Sequence, residues 1–353
     1  MRMQNPRIDP PLSAKVSYLS QPQTYGDTPT RVDVIETHMS WLFLTDEYVY
    51  KLKKPIGNHL MDFSTTAARH RNAIEELRLN RRLAADIYLD VIPLSFSEAG
   101  EFHLGEADNI AEWTVDWLVL MRRLPAADML DQRLLAHAVT AAEITAVATL
   151  LADFYASAPA VPISEHEYLA HFKQVMEINR AELCTPLYQL ETADIEALCL
   201  SQSDFIHQRQ TLLNERATER HIIEAHGDLR PEHICVATPP VAIDCLEFNR
   251  ALRLLDPVDE LSYLALECEF IAPDMAVAIE NTLTDIYRQR CHDRAPPQLI
   301  HFYKSLRATT RARLMALHLR DHPQTQWPKW IGKAKAYLTL AKKYAALFEQ
   351  FDD

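Results

Sequence analysis

Two hydrophobic rhythms divide the chain. Over residues 32–36, 41–44 and 48–53 apolar and polar positions alternate with a period of two, with Asp46-Glu47 as a turn, which predicts a small antiparallel meander. In the last of these strands the alternation puts Val49 and Lys51 on one face and Tyr48, Tyr50 and Leu52 on the other. Residues 64–85 change to helical spacing through Ile74, Leu77, Ala84 and, just beyond, Ile87, with Ser64 or Thr65 available as an N-cap. Strand patterns return at 91–96 and 113–121, and the second runs into Arg122-Arg123-Leu124-Pro125, where proline stops the ladder and a hinge is expected. Beyond it, 134–155, 165–180, 193–221, 259–270, 274–289, 299–319 and 327–351 all read as helices. One short β signal interrupts them: Ile234-Cys235-Val236 and Val241-Ala242-Ile243 flank a turn at Ala237-Thr238-Pro239-Pro240. The pattern predicts an α+β chain of two lobes, a sheet with one helix over 1–124 and a larger, mostly helical part over 125–353.

The polar residues around that β signal carry the chemistry. His226-Gly227-Asp228-Leu229-Arg230-Pro231-Glu232-His233 precedes the first short strand, and Asp244 follows the second. A hairpin brings its open ends together, so His233 and Asp244 are expected to face each other at its mouth, with Asp228 on the entering loop. Carboxylates in such an arrangement hold a divalent cation beside a general base, which phosphoryl transfer requires. Glu247 is a further acid close to Asp244. Arg230 either positions phosphate or pairs with a neighbouring acid. A histidine-glycine-aspartate triplet alone is common in turns; its combination with Asp244 is the stronger signal.

This run resembles the catalytic loop of the aminoglycoside and choline phosphotransferases, whose pattern is His-Gly-Asp, four residues, Asn, and then a strand-borne Asp. Asp256-Pro257-Val258-Asp259-Glu260-Leu261 is similar to the family's downstream segment, whereas the Asn position holds His233. The resemblance is to an uncharacterised bacterial branch whose longer members add a P-loop ATP-binding domain. No Gly-x-x-x-x-Gly-Lys-Ser/Thr occurs here, so the expectation is a version without that domain, with a separate P-loop ATPase as a possible partner. The resemblance implies a protein-kinase-like fold, ATP as the phosphate donor and a small-molecule hydroxyl as acceptor. It implies Lys51 as the phosphate-binding lysine, with Lys53 the weaker candidate beside it. Of Glu75 and Glu76 one should fix that lysine; Leu79 and Leu83, three and seven residues on, favour Glu76, and the alternative makes both surface partners of nearby arginines. Backbone groups from Met121 to Arg123 would meet the adenine edge, Asp228 would orient or deprotonate the acceptor, His226 would hold the loop, and Asp244 would hold the metal. Asp256 and Asp259 would cap the next helix and bond the loop backbone. Since His233 replaces an amide, the metal is either Mg²⁺ or a softer ion such as Mn²⁺ bound through imidazole, or else His233 binds Asp244 and no metal.

Composition narrows the field. Six glycines against twenty prolines exclude a glycine-rich phosphate loop of Rossmann or Walker type, and Thr37-His38-Met39-Ser40 stands where a kinase-like chain has its glycines, leaving Ser40 as a phosphate contact. A net charge of -13 argues against nucleic acid as a partner. Six scattered cysteines without a Cys-x-x-Cys pair, and no long apolar run, fit a cytoplasmic chain with reduced thiols and no membrane partner. Three readings follow: an ATP-dependent small-molecule phosphotransferase, a pseudokinase-like nucleotide-binding module, and a metal-dependent hydrolase built on His226, Asp228, His233 and Asp244.

Overall fold

The computed structural model describes residues 9–57, 61–105 and 112–350. The chain divides into two compact units. One comprises the residues up to Asp128 together with Val241–Ala251, and the other Met129–Pro240 with the residues from Leu252 onward.

The first unit is built on a six-stranded antiparallel sheet in the order β1-β2-β3-β6-β4-β5. Its strands are β1 (Asp33–Glu36), β2 (Ser40–Leu44), β3 (Tyr48–Lys53), β4 (Tyr88–Ser97), β5 (Phe102–Leu104) and β6 (Glu112–Arg122). Alternation along β3 sorts its side chains as expected. Tyr50 and Leu52 enter one apolar cluster with Phe43, Leu94 and Leu118, while Val49 packs on the other face with Ala73, Leu77, Tyr88, Val119 and Met121. Helix α1 (Leu12–Leu19) and helix α2 (Thr66–Asn80) are tied to the central strand β6 by one buried carboxylate. Asp116 accepts from Lys15 of α1 at 3.0 Å and from Arg69 of α2 at 2.7 and 2.9 Å. Thr65 caps α2 by accepting the Ala68 N–H. The helix stops at Asn80, short of the expected 85, and Ile74, expected on its apolar side, is exposed.

The second unit is helical, with α3 (Leu130–Leu135), α4 (Ala141–Ser157), α5 (Glu165–Leu183), α6 (Thr192–Gln208), α7 (Gln210–Thr218), α8 (Pro257–Ile271), α9 (Ala276–Cys291), α10 (Pro297–Asp321) and α11 (Trp327–Glu349). Capping boxes at Thr140 and Ser164 start α4 and α5. The helix expected over 193–221 is broken at Arg209 into α6 and α7. Helix α8 is buried on every side from Pro257 to Glu269, which makes it the axis of the unit. Strand β7 (Ile223–Glu224), leading into the His226 loop, pairs antiparallel with β10 (Leu254–Leu255), leading into α8. Strand β8 (Ile234–Cys235) of this unit and β9 (Val241–Ala242) of the first form where the sequence indicates. The two-lobed α+β architecture, a small antiparallel sheet with its helices and a larger helical part, is the expected one. No helix among the described residues is long and apolar enough to cross a membrane.

Candidate functional site

Strand β3 and helix α2 bring oppositely charged side chains into line. Lys51 Nζ lies 2.8 Å from Glu76 Oε1 and 2.7 Å from Asp244 Oδ1. Two residues on, Lys53 Nζ lies 2.7 Å from Glu76 Oε2 and 2.5 Å from Glu247 Oε1. Asp244, Lys51, Glu76, Lys53 and Glu247 thus alternate in sign along one chain of contacts. Glu76 is fully buried at its centre, and the exposed end is Asp244, whose side chain keeps 44% of its accessibility. Burial alone would depress the Lys51 amine, but the carboxylates of Asp244 and Glu76 hold it well above the usual lysine range. Burial likewise pushes Glu76 up, and Lys51 and Lys53 more than reverse it. At Glu247 burial prevails over Lys53, and the carboxyl stays above its ordinary value.

The segment carrying Asp244 is clamped by α2 and β4. Asp244 adopts φ +61°, a left-handed conformation that costs a non-glycine residue about 1–2 kcal/mol. Its N–H donates to the Tyr88 hydroxyl at 3.1 Å, and the next N–H, of Cys245, donates to Asn80 Oδ1 at 2.9 Å. The Asn80 amide in turn donates to the Glu76 carbonyl at 2.9 Å, so the end of α2 positions both acids. Val241 and Ile243 pack beside Val49 and Met121 as an apolar ledge on the same face of the sheet.

Glu75 is turned away from this chain and pairs with Arg78 at 2.7 Å near the surface. Ser40 is buried at the start of β2, its N–H held by Thr37 Oγ1 at 2.9 Å in a tight turn. At two of the positions expected to offer backbone donors to a base edge, the N–H groups have partners within the unit. The Arg122 N–H donates to Ile87 O at 2.9 Å and the Arg123 N–H to Glu47 O at 2.7 Å, while the Arg123 side chain bonds Thr45 O at 2.6 Å. Met121 is buried against Tyr88 and Val119, on the face that carries Lys51.

In the second unit the His226 loop is held from below by α8. Gly227 has φ +90°, which a side chain would strain. Glu260, in the first turn of α8, accepts the N–H groups of His226 at 3.2 Å and Gly227 at 2.7 Å, and the Tyr155 hydroxyl at 2.9 Å. Fully buried His226 accepts the Asp228 N–H on Nδ1 at 3.3 Å. This corrects the expected division of labour. Asp256 does cap α8 through the Val258 N–H, but it also pairs with Arg216, and Asp259 pairs with Arg307; the loop backbone is bonded by Glu260 instead.

Asp228 emerges from this loop with its side chain 32% exposed, Oδ2 at 3.0 Å from Arg230 and Oδ1 accepting the Tyr263 hydroxyl at 3.3 Å. Burial pushes its carboxyl up, but the neighbouring cations, Arg230 foremost, more than offset this and hold it below the ordinary 3.8. Arg230 also pairs with Glu232. His233 lies 2.8 Å through Nδ1 from the Asp228 carbonyl and 3.3 Å through Nε2 from Arg230 Nη2. A carbonyl only accepts and a guanidinium only donates, so Nδ1 carries the proton and Nε2 receives one. Both ring nitrogens therefore face partners within the loop. Among the described residues no group of three or more His, Cys, Asp or Glu side chains is gathered as a metal site. Tyr88, Asn80, Glu260 and Tyr263 were not singled out from the sequence, because their partners lie 33 to 165 residues away.

No protein-family model matches the chain. Uncharacterised proteins of Mycobacterium tuberculosis and Mycobacterium bovis are each 30% identical over 290 residues, covering 80% of this chain and 54% of theirs. The chain thus spans about half the length of these curated relatives. Among solved structures, a choline/ethanolamine kinase family protein from Mesorhizobium loti matches 96% of this chain and 98% of its own, with a TM-score of 0.51 at 13% identity. A choline kinase from Cryptosporidium parvum matches over 94% and 95%, with a TM-score of 0.51 at 10% identity. At such identities the likeness is one of fold, and the chain has the kinase-like fold of these proteins.

Proposed function

We propose that the chain is a phosphotransferase that moves the γ-phosphoryl group of ATP to a hydroxyl of a small molecule. The observation that carries the reading is Lys51, held between Glu76 at 2.8 Å and Asp244 at 2.7 Å on the strand face lined by Val49 and Met121. In this reading Lys51 leaves Asp244 to neutralise the α- and β-phosphates, with Glu76 keeping it ionised and in place. Asp244 is a hard oxygen donor, 44% exposed, and suits Mg²⁺, which binds through one or two carboxylates together with substrate phosphates. When bound, the ion supplies charge neutralisation on the phosphate oxygens. Asp228 accepts a hydrogen bond from the acceptor hydroxyl and aims it. The acceptor oxygen then bonds to the γ-phosphorus, the bond to the β,γ-bridging oxygen breaks, ADP leaves with that electron pair, and the hydroxyl proton passes to Asp228 and on to solvent. The depressed pKa of Asp228 makes it a weak base, so its part is orientation with late proton acceptance.

One observation favours a second reading, nucleotide binding without turnover. The β1–β2 turn has no glycine and is closed by Thr37, whose hydroxyl also donates to Ser40 O at 3.0 Å. The hydrolase reading leaves the Lys51–Glu76 pair without a role. Calorimetric titration of ATP and ADP with Mg²⁺ or Mn²⁺, beside Asp244→Ala, tests the proposal. Metal-dependent binding lost in the variant is the expected result, and an acceptor screen for ADP release then separates enzyme from binding module. Absence of binding with either metal would refute the proposal.

A further inference from the structure

Lys53 stands on the same strand face as Lys51 but is closed off on every side. Its amine meets Glu76 at 2.7 Å, Glu247 at 2.5 Å and the Phe63 ring at 5.2 Å from the centroid, and its side chain is 2% exposed against 13% for Lys51. Enclosed between two carboxylates, Lys53 is the buried lysine of the two, and Lys51 the one left more open. We propose that Lys53 and Glu247 are positioning residues, which hold the Glu76 carboxylate and through it Lys51. This rests on the kinase-like reading for its purpose, though not for its geometry.

A carboxylate with a single lysine partner can rotate about its last torsion and keep the pair. Glu76 gives Oε1 to Lys51 and Oε2 to Lys53, two residues apart on β3, so its plane is fixed by two amines rather than one. Lys53 is in turn fixed by Glu247, three residues after Asp244. The segment bearing Asp244 therefore grips both ends of the chain of contacts. Three carboxylates on two lysines leave one negative charge in excess, and the exposed member is Asp244. When Lys51 turns from Asp244 to a phosphate, the Lys53–Glu247 half is unchanged, so Glu76 does not follow. A pair that merely neutralised a buried lysine would need Glu247 but would leave Lys51 indifferent to it.

That difference is measurable without nucleotide. Reductive methylation with formaldehyde, read lysine by lysine by mass spectrometry, compares the wild-type chain with Glu247→Gln. Loss of the Glu247 charge lets Lys53 draw Glu76 toward itself, so Lys51 as well as Lys53 is expected to react faster, on the order of tenfold for the loss of a charge-assisted contact. Acceleration at Lys53 alone would overturn the proposal. If Glu247→Gln unfolds enough that every lysine reacts faster, Glu247→Asp is read in the same way, since it keeps the charge but withdraws it by one methylene. Titration with ADP and Mg²⁺ forms the second arm, with affinity in Glu247→Gln expected to fall about tenfold and Lys53→Arg to retain most of it; unchanged affinity in Glu247→Gln would also overturn the proposal. A wild-type chain that binds no ADP refutes the kinase-like reading, and the methylation comparison still decides this one.

Discussion

Replacing Glu76 by glutamine removes one charge from a fully buried side chain that two lysines share, and it changes neither shape nor volume. No cavity term enters, so the loss is electrostatic. Breaking a buried ion pair by removing one partner costs about 3–5 kcal/mol. Here each lysine keeps a second carboxylate, Lys51 the half-exposed Asp244 and Lys53 the buried Glu247, so the lower end, about 3 kcal/mol, applies. At roughly 2–4 °C per kcal/mol the unfolding midpoint of this unit should fall by about 6–12 °C. Thermal unfolding followed by tryptophan fluorescence or calorimetry measures it. Because the pairs are buried, the deficit should persist in about 1 M salt, where exposed charges are screened within about 3 Å. Glu75→Gln is the control, since its pair with Arg78 lies at the surface and is worth about 0–0.5 kcal/mol. A Glu76→Gln chain that melts with the wild type, or whose deficit vanishes in salt, would refute the shared-carboxylate account.

Arg230→Met tests the second unit through pH. The folded-state pKa of Asp228 lies below its ordinary 3.8, so what its ionised form contributes is complete above 3.8 and is lost as pH falls through the folded value. Without the guanidinium, burial remains and raises that value, so the acid limb of the proposed phosphoryl-transfer activity should move to higher pH; an unmoved limb would refute the assignment. Gly227→Ala places a side chain at φ +90° and should cost about 1–2 kcal/mol, seen in the unfolding midpoint, together with most of the turnover. His233→Asn should leave the metal preference as it is, with Mn²⁺ no better than Mg²⁺ in calorimetry, because both imidazole nitrogens serve the loop. A gain of Mg²⁺ over Mn²⁺ in that variant would restore His233 as a ligand.

What could be read from the chain and what could not divides by distance. Alternation along β3 separates Val49 and Lys51 from Tyr50 and Leu52 because a strand has only two faces, and both apolar clusters confirm that sorting. Glu76 is preferable to Glu75 because Leu79, three residues on in α2, is buried with it, while Leu83, also buried, lies past the helix end. The end of α2 was misplaced because Asn80, fully buried, bonds Glu76 O and the Cys245 N–H, a contact across 165 residues that local spacing cannot announce. Glu260 shares that cause: its partner Gly227 lies 33 residues away, and of the three acids at 256, 259 and 260 only the fold reveals which turns toward it. His233 follows from the same geometry. In place of an amide oxygen it presents a ring whose two nitrogens are taken by Asp228 O and Arg230, and Arg230 is also what keeps the Asp228 carboxyl ionised. In the proposed reading, the histidine at 233 acts through Arg230 on the Asp228 carboxylate. A histidine that lends its Nε2 to Arg230 steadies the guanidinium that depresses Asp228, so substitutions at 233 should move the acid limb in the same direction as Arg230→Met, and by less.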